Sequence, residues 1–155
     1  MKQKIRYFIS FYLSLMIISC QQSTSDVALS KQEMLKIVKK NDDLFSEGLK
    51  TKNATLLGNI YSDSAQYVQP DRDILDGRDS IRREWENFLL LKEKPVDLVF
   101  NIHDVRGNRE IIYETGDGFT LLADSSKWKF NYVNVWRLQK DGGYKLEIDT
   151  YNSLK

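Results

Sequence analysis

The chain has 155 residues, one cysteine, one histidine and a formal charge of +1. A single cysteine excludes an internal disulfide, and one cysteine beside one histidine leaves no metal-ligand spacing. The near-balance of charge gives no basic surplus for a nucleic-acid partner, and the length allows one domain with its own core.

The first element is not part of that core. Lys2, Lys4 and Arg6 precede a run from Tyr7 to Ser19 without a charged residue. The run is about a dozen residues long, whereas a membrane-crossing helix takes roughly twenty. Basic, apolar and small in that order is the pattern of a secretory signal peptide. The run ends Ile17-Ile18-Ser19-Cys20, which resembles the lipobox of bacterial lipoproteins. The resemblance implies cleavage before Cys20, a diacylglycerol on its sulfur and anchoring to the membrane. Each buried methylene of such an anchor contributes about 0.8 kcal/mol. Residues 1–19 are thus expected to be the signal peptide, 20–29 the lipidated cysteine and a flexible tether, and 30–155 the domain. Cutting before Cys20 removes three cations and leaves 136 residues with 20 basic and 22 acidic side chains. Gln21 stands where some lipoproteins carry the aspartate that retains them at the inner membrane. The expected location is therefore extracytoplasmic, at the outer membrane.

Within the domain, Ser30 and Glu33 form a capping box. Met34, Ile37, Val38, Leu44, Phe45 and Leu49 follow at helical spacing and predict an amphipathic helix to about Lys50. Asn53 opens a second, short helix to Tyr61, and Ala65 to Gln69 alternates as a strand that stops at Pro70. Asp76 to Asp79 opens a third helix with Ile81, Trp85, Phe88 and Leu89 on its apolar face, and Pro95 ends it. From there the period is two. Val96 to Ile102, Ile111 to Thr115, Trp128 to Leu138 and Tyr144 to Thr150 read as four antiparallel strands. Gly107-Asn108, Gly116 to Gly118, Asp124 to Ser126 and Asp141 to Gly143 read as breaks or turns. This is an α+β domain, three N-terminal helices on a curved antiparallel sheet.

Three phrases, Asn59 to Val68, Leu75 to Ile81 and Val135 to Leu146, together with the order of elements, resemble the nuclear transport factor 2-like superfamily. That group includes the ketosteroid isomerases and the SnoaL-like proteins. The resemblance covers residues 30 to 152 and implies a cone: a strongly curved sheet around a helix bundle, with a pocket at the wide end. The same cone hosts isomerases, dehydratases, cyclases and binding modules, so it does not choose a function.

A two-residue turn at Gly107-Asn108 would set Ile102 opposite Tyr113. A turn around Asp141 would set Trp136 opposite Leu146 and Tyr132 opposite Thr150. The expected pocket lining is then Tyr113, Tyr132, Asn134, Trp136 and Thr150, with Thr115 and Asn152 on the same face and Tyr67 and Trp85 closing from the helical side. His103, the lone histidine, and Asp149 on the last strand are the candidate acid–base groups. Strict alternation turns both away from the pocket. A bulge would turn Asp149 in. The sequence favours a domain that binds a small, partly apolar molecule without cofactor or metal. One alternative is an acid–base enzyme using the same pocket, an isomerase, dehydratase or cyclase. Another is a module that forms a homodimer through the outer sheet face at Val133 and Val135, with its cone filled.

Overall fold

The computed structural model describes residues 28–154. The expected signal peptide, Cys20 and most of the tether lie outside the described residues. Among those that are described, no helix is long and apolar enough to cross a membrane.

Helix α1 (Lys31–Lys50) starts at the capping box. Ser30 Oγ accepts from the Glu33 amide at 3.2 Å, and Glu33 Oε2 accepts from the Ser30 amide at 2.8 Å. Its buried stripe is Met34, Val38, Phe45 and Leu49, interrupted by a carboxylic acid, Asp42. Helix α2 (Ala54–Asn59) is capped by Asn53 and packs where Gly48 leaves room, since a Cβ there would lie 2.5 Å from Leu57. Gly58 and Asn59 are poor helix formers, so the helix stops before Tyr61, which instead opens strand β1 (Tyr61–Val68). A two-residue strand, β2 (Leu75–Asp76), pairs with β1 and precedes helix α3 (Arg78–Leu89). Arg78 locks that corner by donating to Tyr61 O at 2.9 Å and to the Asp63 carboxylate at 2.8 Å.

Strands β3 (Pro95–Gly107), β4 (Ile111–Leu122), β5 (Lys127–Leu138) and β6 (Tyr144–Ser153) form the expected meander. The sheet order is β2-β1-β6-β5-β4-β3, and β1 runs parallel to β6. The sheet is therefore mixed rather than wholly antiparallel, because the chain passes through α3 and the meander before β6 reaches β1. The helices cover one face of it, and one core joins the stripes of all three to the inner face.

Three local features move the register away from the sequence expectation. The β3–β4 loop is Asn108 to Glu110, not two residues. Asn108 Oδ1 accepts the amides of Glu110 and Ile111, and Gly107 pairs with Ile112. His103 is an extra residue between Ile102 and Asp104, and Glu147 an extra residue between Leu146 and Ile148. Bulges of this kind turn the following side chains over.

Gly116 and Gly118 do not break the pattern; both sit inside β4. A Cβ on Gly116 would lie 2.3 Å from Asn101 O and 2.7 Å from the Tyr132 hydroxyl, and one on Gly118 would lie 2.7 Å from the Phe130 ring. Their bareness lets the aromatic side chains of β5 lie across β4. Gly116→Ala is expected to lower the unfolding free energy in urea by about 2 kcal/mol and to alter the near-ultraviolet circular dichroism of the aromatic cluster. An unchanged midpoint and spectrum would mean the sheet has room there.

Candidate functional site

The helices and the inner sheet face do not fill the space between them. A cavity of about 820 Å³ opens between the end of α3, the start of β5 and the end of β6, within the usual range for small-molecule pockets. Its walls are mainly aromatic, with Phe45 from α1, Trp85 and Phe88 from α3, Phe100 from β3 and Phe130 from β5. Edge-to-face contacts of Phe100 with Phe130 at 5.9 Å and Tyr132 at 5.1 Å hold these rings apart as walls. At the mouth Arg72 pairs with Glu84 and donates to Gln69 at 3.1 Å.

Of the residues expected to line a pocket, Tyr67, Trp85 and Tyr132 do so. Asn134 and Trp136 point inward but lie deeper, where they hold a buried carboxylate. Tyr113 is corrected to the outer face, where it is 49% exposed beside Arg106 and Val135. Thr150 is likewise corrected: it pairs with Val133, itself exposed, on the outer face. Thr115 and Asn152 are also exposed on that side. The extra residue His103 accounts for the first of these shifts, since the longer loop alone moves the register by an even number of positions, and Glu147 accounts for Thr150. His103 faces out, its Nε2 2.7 Å from the Asp117 carboxylate and its side chain 62% exposed.

Asp149 faces in. Glu147 takes up one position of β6, so Asp149 pairs with inward Asn134, and Tyr151 with inward Tyr132. The Tyr61 hydroxyl donates to Asp149 Oδ2 at 2.5 Å, and the Tyr67 and Tyr151 rings, 6.0 Å apart, adjoin it. Asp149 keeps a strip of accessible surface at the cavity and is otherwise enclosed by protein. Loss of water pushes its carboxyl up to about 7; the Tyr61 hydrogen bond works the other way, and the Glu114 charge adds to the rise. Burial holds the Tyr61 and Tyr67 phenols well above their ordinary value, so both stay protonated.

A second carboxyl pair, unforeseen from the sequence, lies behind the cavity wall. Glu114 is fully buried and accepts from Tyr132 at 2.5 Å, from Trp136 Nε1 at 2.8 Å and more weakly from Asn134 at 3.4 Å. Asp42 lies against it, and neither Asp42 oxygen meets an N–H or a hydroxyl. That contact is a hydrogen bond only if one of the two carboxyls carries a proton. Burial raises the Glu114 carboxyl too, while its donors pull it back, so of the two it is the readier to ionise. Burial pushes Asp42 up to about 9, and the Glu114 charge adds to it. Among the described residues no cluster of histidine, cysteine and carboxylate side chains could hold a metal ion.

No family model matches the sequence, and no curated protein matches it. Solved structures do match in shape. One is a Catenulispora acidiphila protein in complex with S-DNPA, with a TM-score of 0.70 at 13% identity over 79% of this chain and 94% of that one. The fold is nuclear transport factor 2-like. A Nostoc punctiforme protein of unknown function with a cystatin-like fold aligns at TM-score 0.67 and 10% identity, over 81% of this chain and 94% of the other. A ketosteroid isomerase-like protein from Erwinia carotovora atroseptica aligns at 0.63 and 12%, over 79% and 98%. At such identities the likeness concerns architecture alone.

The carboxyls make stability depend on pH. Unfolded, Asp149 and Asp42 titrate near 3.8; folded, they keep their protons to about 7 and about 9. Between those limits the folded state binds more protons, so their contribution is complete below about pH 4 and is lost as pH rises through the folded values. Asp104, held down to about 2 by Lys31 and Arg106, acts oppositely, its contribution vanishing in acid. The urea midpoint is therefore expected to be higher at pH 5 than at pH 8. Asp149→Asn, which keeps an acceptor for Tyr61, should flatten part of that slope and stabilise at pH 8 by on the order of 2 kcal/mol. Equal midpoints for the parent chain at both pH values would show that these carboxyls titrate as they do in water.

Proposed function

We propose that the domain binds a small, partly apolar molecule in the cavity and moves a proton on it without a cofactor, Asp149 serving as the base. The observation that carries this reading is the position of Asp149: on the wall of an open aromatic cavity, with a carboxyl that titrates near neutrality. A base with a pKa near the working pH is both partly ionised and strong enough to take a proton. Burial then favours the neutral acid that results. Tyr61 stays donated to the carboxyl and fixes its orientation. Tyr67, protonated and on the same wall, is placed to donate to an oxygen that gains charge as the proton leaves carbon. The reaction class is proton transfer next to a carbonyl, as in an isomerase, dehydratase or cyclase. Support also comes from the solved structures of like fold, one in complex with a small molecule and one described as ketosteroid isomerase-like. The rival that needs a filled cone, a purely structural dimerising module, does not suit a cavity of this size. In the same proposal Cys20 carries the lipid that holds the domain outside the cytoplasm, at the outer membrane.

Two experiments test this. The chain is incubated in deuterium oxide with a panel of enolisable aromatic ketones, and exchange of the proton next to the carbonyl is followed by NMR. At least one ketone should exchange, with Asp149→Asn slower by about 10²-fold or more while its affinity is kept. Equal exchange by the variant would reduce the function to binding, and no saturable binding by any ketone would remove the pocket reading. For the anchor, a fatty-acid label supplied to expressing cells should enter the chain and disappear in Cys20→Ser. Persistent label would place the lipid elsewhere.

A further inference from the structure

Asp42 has no role in the reading above, yet it is 6% exposed and both of its oxygens lack a donor. A buried carboxyl pair is costly to keep, and an apolar pair of similar size is often as stable or more so. What a carboxyl pair offers that an apolar pair does not is a place to hold and pass a proton. On one side Glu114 links Asp42 to Tyr132, whose hydroxyl is 2.5 Å from Glu114 Oε1 and whose ring forms cavity wall. On the other, Asp42 is the floor of a second, smaller hollow of about 270 Å³ between α1 and β3. Lys39, Asp43, Ser46 and Lys50 of α1 and Asp97 of β3 line that hollow, and Lys39 and Asp43 reach solvent. Ser46 and Lys50 both bind Asp97, which leaves Asp42 without them.

We propose that Asp42, Glu114 and Tyr132 form a proton-conducting chain joining the α1–β3 hollow to the wall of the main cavity, a route separate from its mouth. The proposal rests on the proton-transfer reading of the cavity. In one passage the Tyr132 O–H turns from Glu114 and gives its proton to the bound molecule, Asp42 gives its proton to the Glu114 carboxylate, and Glu114 passes a proton to the phenol oxygen. A proton from bulk solvent, relayed by water in the hollow, then restores Asp42, so the net change is one proton moved from solvent to the bound molecule. The Asp42 oxygens are covered, so the last step needs α1 to part from β3 enough to admit one water.

Infrared spectroscopy of the full chain tests the connection without any ligand. At pH 8 the parent should show a protonated-carboxyl C=O band that is lost in Asp42→Asn. Tyr132→Phe, which only removes the hydroxyl on Glu114, should shift the same band. On transfer to deuterium oxide the band should move within the mixing dead time. A missing band, a band indifferent to Tyr132→Phe, or one that exchanges only as slowly as core amides would overturn the chain. Asp149→Asn separates the two ideas: it should leave the Asp42 band in place, so failed ketone exchange with an intact, fast-exchanging band rejects the catalytic reading alone. Should any variant lose its circular dichroism, Asp42→Glu, which keeps the carboxyl, must restore the band for the assignment to stand.

Discussion

Leu146 and Ile148 face consecutive residues of β5, Trp136 and Val135, so Glu147 between them is one residue more than the ladder can pair. That surplus residue decides which face every later side chain of β6 presents. Without it Asp149 would lie opposite Val133 on the outside, and Tyr151 would follow it out. With it, both enter the cavity. Glu147 itself is held at the margin, accepting from Ser62 at 2.8 Å and Ser64 at 3.3 Å and lying 3.6 Å from Arg137. Those contacts reach β1 and β5, the two neighbours of β6, so the bulge is fixed from both sides.

Once Asp149 is inside, its chemistry depends on charges it does not touch. The interior holds three carboxyls, Asp42, Glu114 and Asp149, and no buried cation faces them among the described residues. A low-dielectric interior tolerates few unpaired charges, so the protons distribute according to hydrogen-bond donors. Glu114 has Tyr132, Trp136 and Asn134, which offset its loss of water and make it the readier of the buried pair to hold a negative charge. Asp149 has Tyr61 alone and titrates near neutrality; Asp42 has no donor and is the most reluctant to ionise. The Glu114 charge raises both neighbours, so the pair behind the wall helps to tune the group in front of it.

Much of this was legible from residue patterns. The capping box at Ser30, the apolar stripes of α1 and α3 and the Asp141 turn are local signals, and local signals set the elements. Tyr67, Trp85 and Tyr132 follow from the sequence because the phases of β1, α3 and β5 are set directly by alternation and helical spacing. The misplaced residues share one cause. Tyr113 is turned out by the extra residue His103 in the strand it pairs with and Thr150 by Glu147 in its own, and a single inserted residue inverts a face without changing composition. Glu114 was missed for a different reason. Its neighbours Tyr113 and Thr115 look better suited to an interior than Glu114 and Gly116 do. Gly116 is bare because the Tyr132 ring lies over it, and Glu114 is buried because three donors of β5 await it, facts that belong to the partner strand.

The direction of the cone bears on how a ligand would reach it. Helix α1 lies antiparallel to β3: Lys31 pairs with Asp104 at 2.5 Å near one end, and Lys50 with Asp97 at 3.0 Å near the other. The mouth, ringed by Leu91, Trp128 and Leu154, is at the Asp97 end, so the chain before Ser30 leaves from the far end, roughly 30 Å away by helical rise. Residues 20–29 fully extended span at most about 35 Å, and a flexible chain of that length averages nearer 17 Å. The lipid on Cys20 proposed above would thus attach the domain at the end opposite the mouth and leave the mouth free to face away from the membrane. Leu91, Trp128 and Leu154 would then meet molecules arriving through the aqueous phase, and a partly apolar ligand would have to be soluble or carried there.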